Sequence, residues 1–139
     1  MNISKKAEYA IKAVISIARH ANNNPLQISE ISKKESIPIK FLEQILLTLK
    51  NNGILNSKRG ANGGYLLAKS KDDISIGMIL DIIDGPFDPI DLKSENCLGA
   101  GLEKCFVDMV NMVNKHLNSF TIQKILEIEE PKDLLAFEI

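Results

Sequence analysis

The sequence predicts a mainly α-helical fold with one small β-hairpin, ending in a long helix that needs a partner. Three observations predict it. Apolar residues recur at spacings of three and four through most of the first 50 positions, the period of helices with one buried face. The segment 58–64 is rich in glycine and separates two short apolar runs, as the tip of a hairpin does. A later stripe, from Phe106 to Leu117, is more apolar surface than a single exposed helix leaves to water.

Ser4 stands where it can cap a first helix over residues 4–21, in which Ala7, Ile11, Val14, Ala18 and Ala21 share a face. The run Asn22-Asn23-Asn24-Pro25 breaks it. Ser29 is the expected cap of a short second helix reaching about Glu35, with Ile28 and Ile31 pointing inward. Pro38 suits the first turn of a third helix, whose Phe41, Leu42, Ile45, Leu46 and Leu49 form one apolar stripe and whose end is marked by Asn52 and Gly53. Only Glu35-Ser36-Ile37 separates the second helix from the third, the spacing of a helix-turn-helix.

Two strands, 54–57 and 65–68, then flank Lys58-Arg59-Gly60-Ala61-Asn62-Gly63-Gly64. A plain β-turn explains the glycines of this hairpin but not the two cations directly before them. Ser75 caps a helix carrying Ile76, Ile79, Leu80 and Ile83, closed by Gly85-Pro86. Residues 88–101 are irregular and acidic, and they hold Cys97. The long helix follows from about Leu102 to Leu117, with Phe106, Met109, Val110, Val113 and Leu117 on one face and Cys105 near its start. Thr121 caps a last short helix carrying Ile122, Ile125 and Leu126, and the tail after Pro131 is expected to be weakly ordered.

Three helices followed by a glycine-tipped hairpin make a winged helix-turn-helix. The chain therefore divides into a winged helix-turn-helix DNA-binding domain (1–70), a linking helix with a cysteine-containing sensor loop (71–101), and a dimerisation helix with a short C-terminal helix (102–139). Charge follows the same division. Residues 1–69 hold 11 Lys/Arg against four acids, a balance of +7, while the rest of the chain carries −8. A basic half beside an acidic half suits a polyanion-binding domain joined to a domain with another task.

The third helix is expected to enter the major groove with its N-terminal residues toward the base edges. Lys40, Glu43 and Gln44 fall on its outward side, where Gln44 could pair with adenine, Glu43 could accept from a cytosine amino group, and Lys40 could reach guanine or a phosphate. Arg59 is the candidate for a narrow minor groove or a phosphate clamp. Lys5, Lys6, Lys33 and Lys34 suit backbone anchoring. The candidate DNA contacts are thus Lys33 and Lys34, then Ile39, Lys40, Glu43 and Gln44, then Lys58, Arg59, Gly60, Asn62, Gly63, Gly64 and Tyr65. Phe106, Met109, Val110, Val113 and Leu117 are the candidate dimer contacts.

Met1-Asn2-Ile3-Ser4 leading into Tyr9-Ala10, then Phe41-Leu42-Glu43-Gln44-Ile45-Leu46, Asn52-Gly53-Ile54-Leu55 and Arg59-Gly60-Ala61-Asn62-Gly63-Gly64-Tyr65-Leu66-Leu67 resemble the signatures of the Rrf2 family, whose members include iron–sulfur, nitric-oxide and cysteine-metabolism regulators. The resemblance covers nearly the whole chain. It implies a homodimeric transcription regulator, with repression its expected mode, on a partly palindromic double-stranded DNA operator, with Glu43, Gln44 and Arg59 at positions the family uses on DNA. It also implies a candidate iron–sulfur cluster. Cluster-binding members carry three cysteines before the dimer helix, whereas this sequence carries two, Cys97 and Cys105, with Leu92 where the first family cysteine is expected. Glu8 matches an acidic ligand that some members take from helix one of the opposite subunit, and Asp108 lies where a family histidine can be found. A [2Fe–2S] site with mixed ligands is one expectation. The alternatives are a cluster-free thiol switch, control by a partner protein, or a winged-helix module that binds protein. His20 and His116 belong to no ligand spacing and are expected at the surface.

An enzyme is not expected. The sequence has no local nucleophile–base signature, and the glycines at 60–64 follow cations in a hairpin rather than opening a helix as a phosphate loop does. No apolar run approaches the roughly 20 residues of a membrane-spanning helix, and the chain is expected in the cytoplasm without membrane contact.

Overall fold

A computed structural model describes residues 2–20, 22, 24–89 and 99–130. The expected positions of Ala21, of Leu92 and Cys97 in the loop, and of the tail after Pro131 lie outside them. Helix α1 (Lys5–Arg19) is the hub of the fold. Ser4 caps it, its Oγ accepting from the Ala7 amide at 3.0 Å. Its buried face is wider than expected and built of small residues: Ala7, Ala10, Ala13 and Ala18 lie beside Val14 and Ile17. Short side chains let other helices approach its axis closely. Helices α2 (Ile28–Glu35), α3 (Ile39–Asn51), α4 (Ile76–Asp84) and α6 (Ile122–Glu129) all pack against it.

Two helix starts differ from the sequence expectation. Helix α2 begins at Ile28, with Gln27 at the cap and Ser29 inside the first turn. Pro38 precedes α3 as its cap instead of occupying its first turn. Between them Ser36 adopts a left-handed conformation (φ 56°), Ser32 Oγ donates to the Ile37 carbonyl at 2.6 Å, and the Ile37 amide donates to the Ser32 carbonyl at 3.1 Å. This turn fixes the angle between α2 and α3, while Ile31 and Ile37, both fully buried, fill the space beneath it.

Helix α3 buries Leu42, Ile45, Leu46 and Leu49 as expected, but Phe41 is a correction: it is 53% exposed. It packs edge-on to the Tyr9 ring of α1, centroids 6.4 Å apart, at the rim of the core. The hairpin is shifted by one residue on each side from the expected strands. Strands β1 (Leu55–Lys58) and β2 (Gly64–Leu67) pair antiparallel with Leu55 opposite Leu67 and Lys58 opposite Gly64. Leu26 and Tyr65 exchange both backbone hydrogen bonds at 2.9 Å, which fastens the hairpin to the segment leading into α2.

One core runs beyond residue 70, for Ile74, Ile79 and Ile122 are fully buried in the same apolar cluster as Val14, Leu42 and Leu46. Ser75 caps α4, accepting from the Met78 amide at 3.1 Å. Thr121 caps α6 in the same way, accepting from the Lys124 amide at 3.1 Å. The two cap segments are pinned together by Ile76 N–H to Phe120 carbonyl (2.9 Å) and Ile122 N–H to Ile74 carbonyl (2.8 Å). Asp84, at the end of α4, accepts from both the amide and the hydroxyl of Ser4, and Arg19 pairs with Glu129, so both ends of α1 are tied to later elements.

Helix α5 (Ala100–Ser119) is longer than expected by about a turn. None of its residues is fully buried. Phe106, Met109, Val110, Val113 and Leu117 are half-covered, and Leu102, Val107 and Met112 are exposed, Met112 at 72%. No described helix is long and apolar enough to cross a membrane.

Candidate nucleic-acid interface

The outer side of α3 is set by the burial of its inner side. With Leu42, Ile45, Leu46 and Leu49 in the core, a period of 3.6 residues turns Lys40, Glu43, Gln44, Leu47 and Asn51 outward, and each is exposed. Ile39, the first residue of the helix, is also exposed, at 45%. Lys33 and Lys34 stand in the last turn of α2, exposed and next to the turn that delivers α3. Helix α3 therefore leaves its outer face exposed along its length, with exposed lysines at the end of the preceding helix.

The hairpin tip is the second exposed feature. Lys58, Arg59, Gly60 and Asn62 are exposed, while Gly63 is buried and Gly64 and Tyr65 are half-covered. Two glycines there are required by the fold. A Cβ on Gly63 would run into the carbonyl oxygens of Lys58 and Gly60, so the chain can double back only without a side chain at that position. Gly64 has φ +145°, and a Cβ there would strike the Leu26 carbonyl. Gln27 Nε2 donates to the Ala61 carbonyl at 3.2 Å, which adds a side-chain tether from the start of α2 to the tip. Arg59 is thereby held on a hairpin fixed to the same segment that fixes α2.

Among the described residues Lys33, Lys34, Lys40, Lys58 and Arg59 form no ion pair, so their charge is turned to solvent. Lys5 is placed differently. It pairs with Glu8 at 3.3 Å and stands 5.3 Å from the centre of the Tyr9 ring.

The expected sensor residues are not gathered by the described part of the chain. Cys105 is an exposed free thiol in the second turn of α5. Glu8 is engaged on its own helix, where hydrogen bonds from Lys12 and then Lys5 hold its carboxyl below the usual glutamate range. Asp108 pairs with Lys104 at 2.8 Å and raises that lysine's pKa, first by its hydrogen bond and then by its charge. Among the described residues no three of His, Cys, Asp and Glu stand together as a metal site. His20 and His116 are exposed, the latter 5.0 Å from the Phe120 ring between centroids.

Sequence reasoning missed Leu47, which is 52% exposed in the middle of the outer face of α3. The signal was present. Leu47 falls outside the spacing of the buried stripe, which leaves an apolar residue on the polar side.

A helix-turn-helix with a tethered basic wing and an uncovered recognition face defines a DNA-binding protein of the winged-helix class. The family described as Rrf2, iron-dependent transcriptional regulator, matches residues 3–128. The chain belongs to the Rrf2 family of transcriptional regulators. It is 30% identical over 140 residues to the HTH-type transcriptional regulator IscR of Pectobacterium carotovorum, an alignment spanning 96% of this chain and 84% of the relative. The solved structure of CymR, the global cysteine regulator of B. subtilis, superposes with a TM-score of 0.84 at 26% identity, covering 94% of this chain and 99% of that one. The structure of T. potens IscR matches with a TM-score of 0.78 at 25% identity, over 94% of this chain and 89% of that one.

Proposed function

We propose that this chain represses transcription in the cytoplasm as a homodimer, binding a partly palindromic operator with α3 in the major groove and Arg59 of the wing at the adjacent minor groove or its phosphates. Gln44 pairs with adenine and Glu43 accepts from a cytosine amino group, while Lys33, Lys34 and Lys58 hold phosphates and fix the register. The glycines of the wing let its backbone approach the duplex. The observation that carries this reading is the outer face of α3, where Lys40, Glu43 and Gln44 are all exposed, together with a hairpin whose cations have no acidic partner among the described residues. Gel shifts at two salt concentrations test it. DNA binding by phosphate contacts weakens steeply as salt rises, whereas a protein-binding module would show no duplex affinity to lose.

The dimer is proposed to form through α5, whose half-covered stripe Phe106, Met109, Val110, Val113 and Leu117 continues into exposed Leu102 and Met112. The division of labour follows: residues 1–70 bind DNA, 71–101 form the linking helix and the cysteine-containing loop, and 102–139 carry the dimer helix, with Cys105 near its start.

For the signal, a cluster would draw on Cys97, Cys105, Glu8 and Asp108. Among the described residues Glu8 and Asp108 pair with lysines of their own helices and Cys105 is an exposed thiol, while Cys97 lies outside them. We favour thiol chemistry at Cys105, near the start of the dimer helix, where a change of charge or size would shift α5 and the spacing of the two recognition helices. An anaerobic absorption spectrum with iron and sulfide analysis decides the matter. A visible band with stoichiometric iron and sulfide would replace the thiol reading with a cluster.

A further inference from the structure

We propose that Leu47 reads the 5-methyl group of a thymine in each operator half-site. This rests on the DNA reading above and adds to it an apolar contact within the recognition face. Lys40, Gln44, Leu47 and Asn51 recur at i, i+4, i+7 and i+11, and so form one row on the side of α3 opposite to the buried Leu42, Ile45, Leu46 and Leu49. Leu47 is central in that row, next to Gln44 and Glu43 on successive turns. At 52% exposure it presents about half of a leucine surface to water, among polar neighbours and outside the core cluster. Its exposure is a loss that folding of this chain does not recover, whereas a partner lying along α3 would recover it.

The chemistry of that partner is fixed by the neighbours. In the major groove the only apolar group offered by any base is the thymine methyl, and it is read by apolar side chains. Three residues of helix advance about 4.5 Å along the axis. Base pairs stack about 3.4 Å apart, so Leu47 stands over the same base pair as Gln44 or the next one. If Gln44 pairs with adenine, the thymine opposite places its methyl on the same groove edge within reach of Leu47. The polar residue and the apolar one would then read the two halves of one A·T pair or of neighbouring pairs. Phe41, although as exposed, does not share this row, because it lies on the flank against Tyr9.

The test uses the full chain and an operator isolated by selection from random duplexes. Each thymine is replaced in turn by uracil, which removes only the methyl, and affinities are measured for the parent, Leu47→Ala and Leu47→Met. At one thymine per half-site, uracil should weaken the parent about fourfold per half-site, the effect of one buried methyl group. Leu47→Met should keep most of that sensitivity and Leu47→Ala should lose it. The melting temperature and molecular mass of Leu47→Ala should match the parent. The assignment is overturned if no thymine is methyl-sensitive in the parent, or if Leu47→Ala remains sensitive at every such thymine. A change of oligomeric mass in Leu47→Ala would also overturn it, by giving this face to another copy of the chain. Gln44→Ala separates the two levels: if it shifts the selected sequence while uracil has no effect, DNA reading by α3 stands and only Leu47 is misassigned. If no operator emerges, both fall.

Discussion

Gln44 and Arg59 face the same duplex in this account, but through different chemistry, and their substitutions should be distinguishable. Gln44→Ala removes a bidentate base contact, so it should relax preference at one base position and cost roughly 1–3 kcal/mol on the cognate site alone. Arg59→Ala and Lys33→Ala remove phosphate contacts. Each should weaken binding to all sequences and reduce the slope of log affinity against log salt by about one unit per lost contact, read by fluorescence anisotropy. Gly64→Ala acts on the scaffold, because φ +145° and the Leu26 carbonyl leave no place for a Cβ. It should lower the melting temperature by an amount corresponding to about 1–3 kcal/mol and weaken operator binding with it. Glu8 gives a pH prediction. Its folded pKa lies below the usual 4.5 because Lys12 and Lys5 bind the carboxylate, so these pairs stabilise the fold above that value and lose their effect as pH falls through the lower folded pKa. An NMR titration of the Glu8 carboxyl should show a depressed midpoint that Lys12→Met returns toward 4.5. At this scale the exposure of Gln44 and Arg59 was legible from the sequence, because Gln44 lies opposite the buried stripe of α3 and Arg59 stands in the glycine-rich tip of a hairpin. Phe41 was not. It continues the apolar spacing of α3 by sequence, and only the approach of Tyr9 from α1 turns that edge of the helix into the rim of the core.

Helix termini divide into those written locally and those imposed from a distance. Ser4, Ser75 and Thr121 each accept from the backbone amide three residues on, and all three were read from the sequence. Ser75→Ala should destabilise the chain by about 1 kcal/mol, and by more if the contact of its hydroxyl with Asn118 (3.3 Å) is also lost, as chemical denaturation would measure. The start of α2 is the contrary case. Gln27 provides no side-chain cap, and the helix begins where the exchange of hydrogen bonds between Leu26 and Tyr65 fixes the incoming chain. That pairing spans about 40 positions and left no local signal. Helix α5 was legible as an amphipathic element, and its stripe, only half-covered within the chain, is the basis of the dimer prediction. Val113→Asp would put an unpaired charge into the interface at a cost of several kcal/mol. Light scattering should then report a monomer with greatly weakened operator binding, and a variant that stays dimeric would move the interface elsewhere.

The whole molecule couples its parts through one core. Ile74, Ile79 and Ile122, far apart in sequence from Val14 and Leu46, are buried with them, so displacement of α4 or α6 is felt by α1 and by the recognition unit that α1 supports. The sequence displayed the division of charge between the halves but not this shared core, since the pairing of Ile74 with Ile122 is a long-range contact between two segments that each read as a simple helix cap. Helix α5, which carries Cys105, reaches that core through its packing on α4, and this gives the sensing proposal its consequence. Cys105→Ala should leave the fold intact and abolish any change of operator affinity on oxidation, measured by gel shift with oxidised and reduced protein. If α3 and the wing form a DNA-reading surface, operator affinity of the full chain, measured between about 50 and 200 mM salt beside an unrelated duplex of equal length, should fall on the order of a thousandfold across that range, with the operator preferred at every salt concentration. Affinity that is insensitive to salt, or equal for the two duplexes, would contradict that reading.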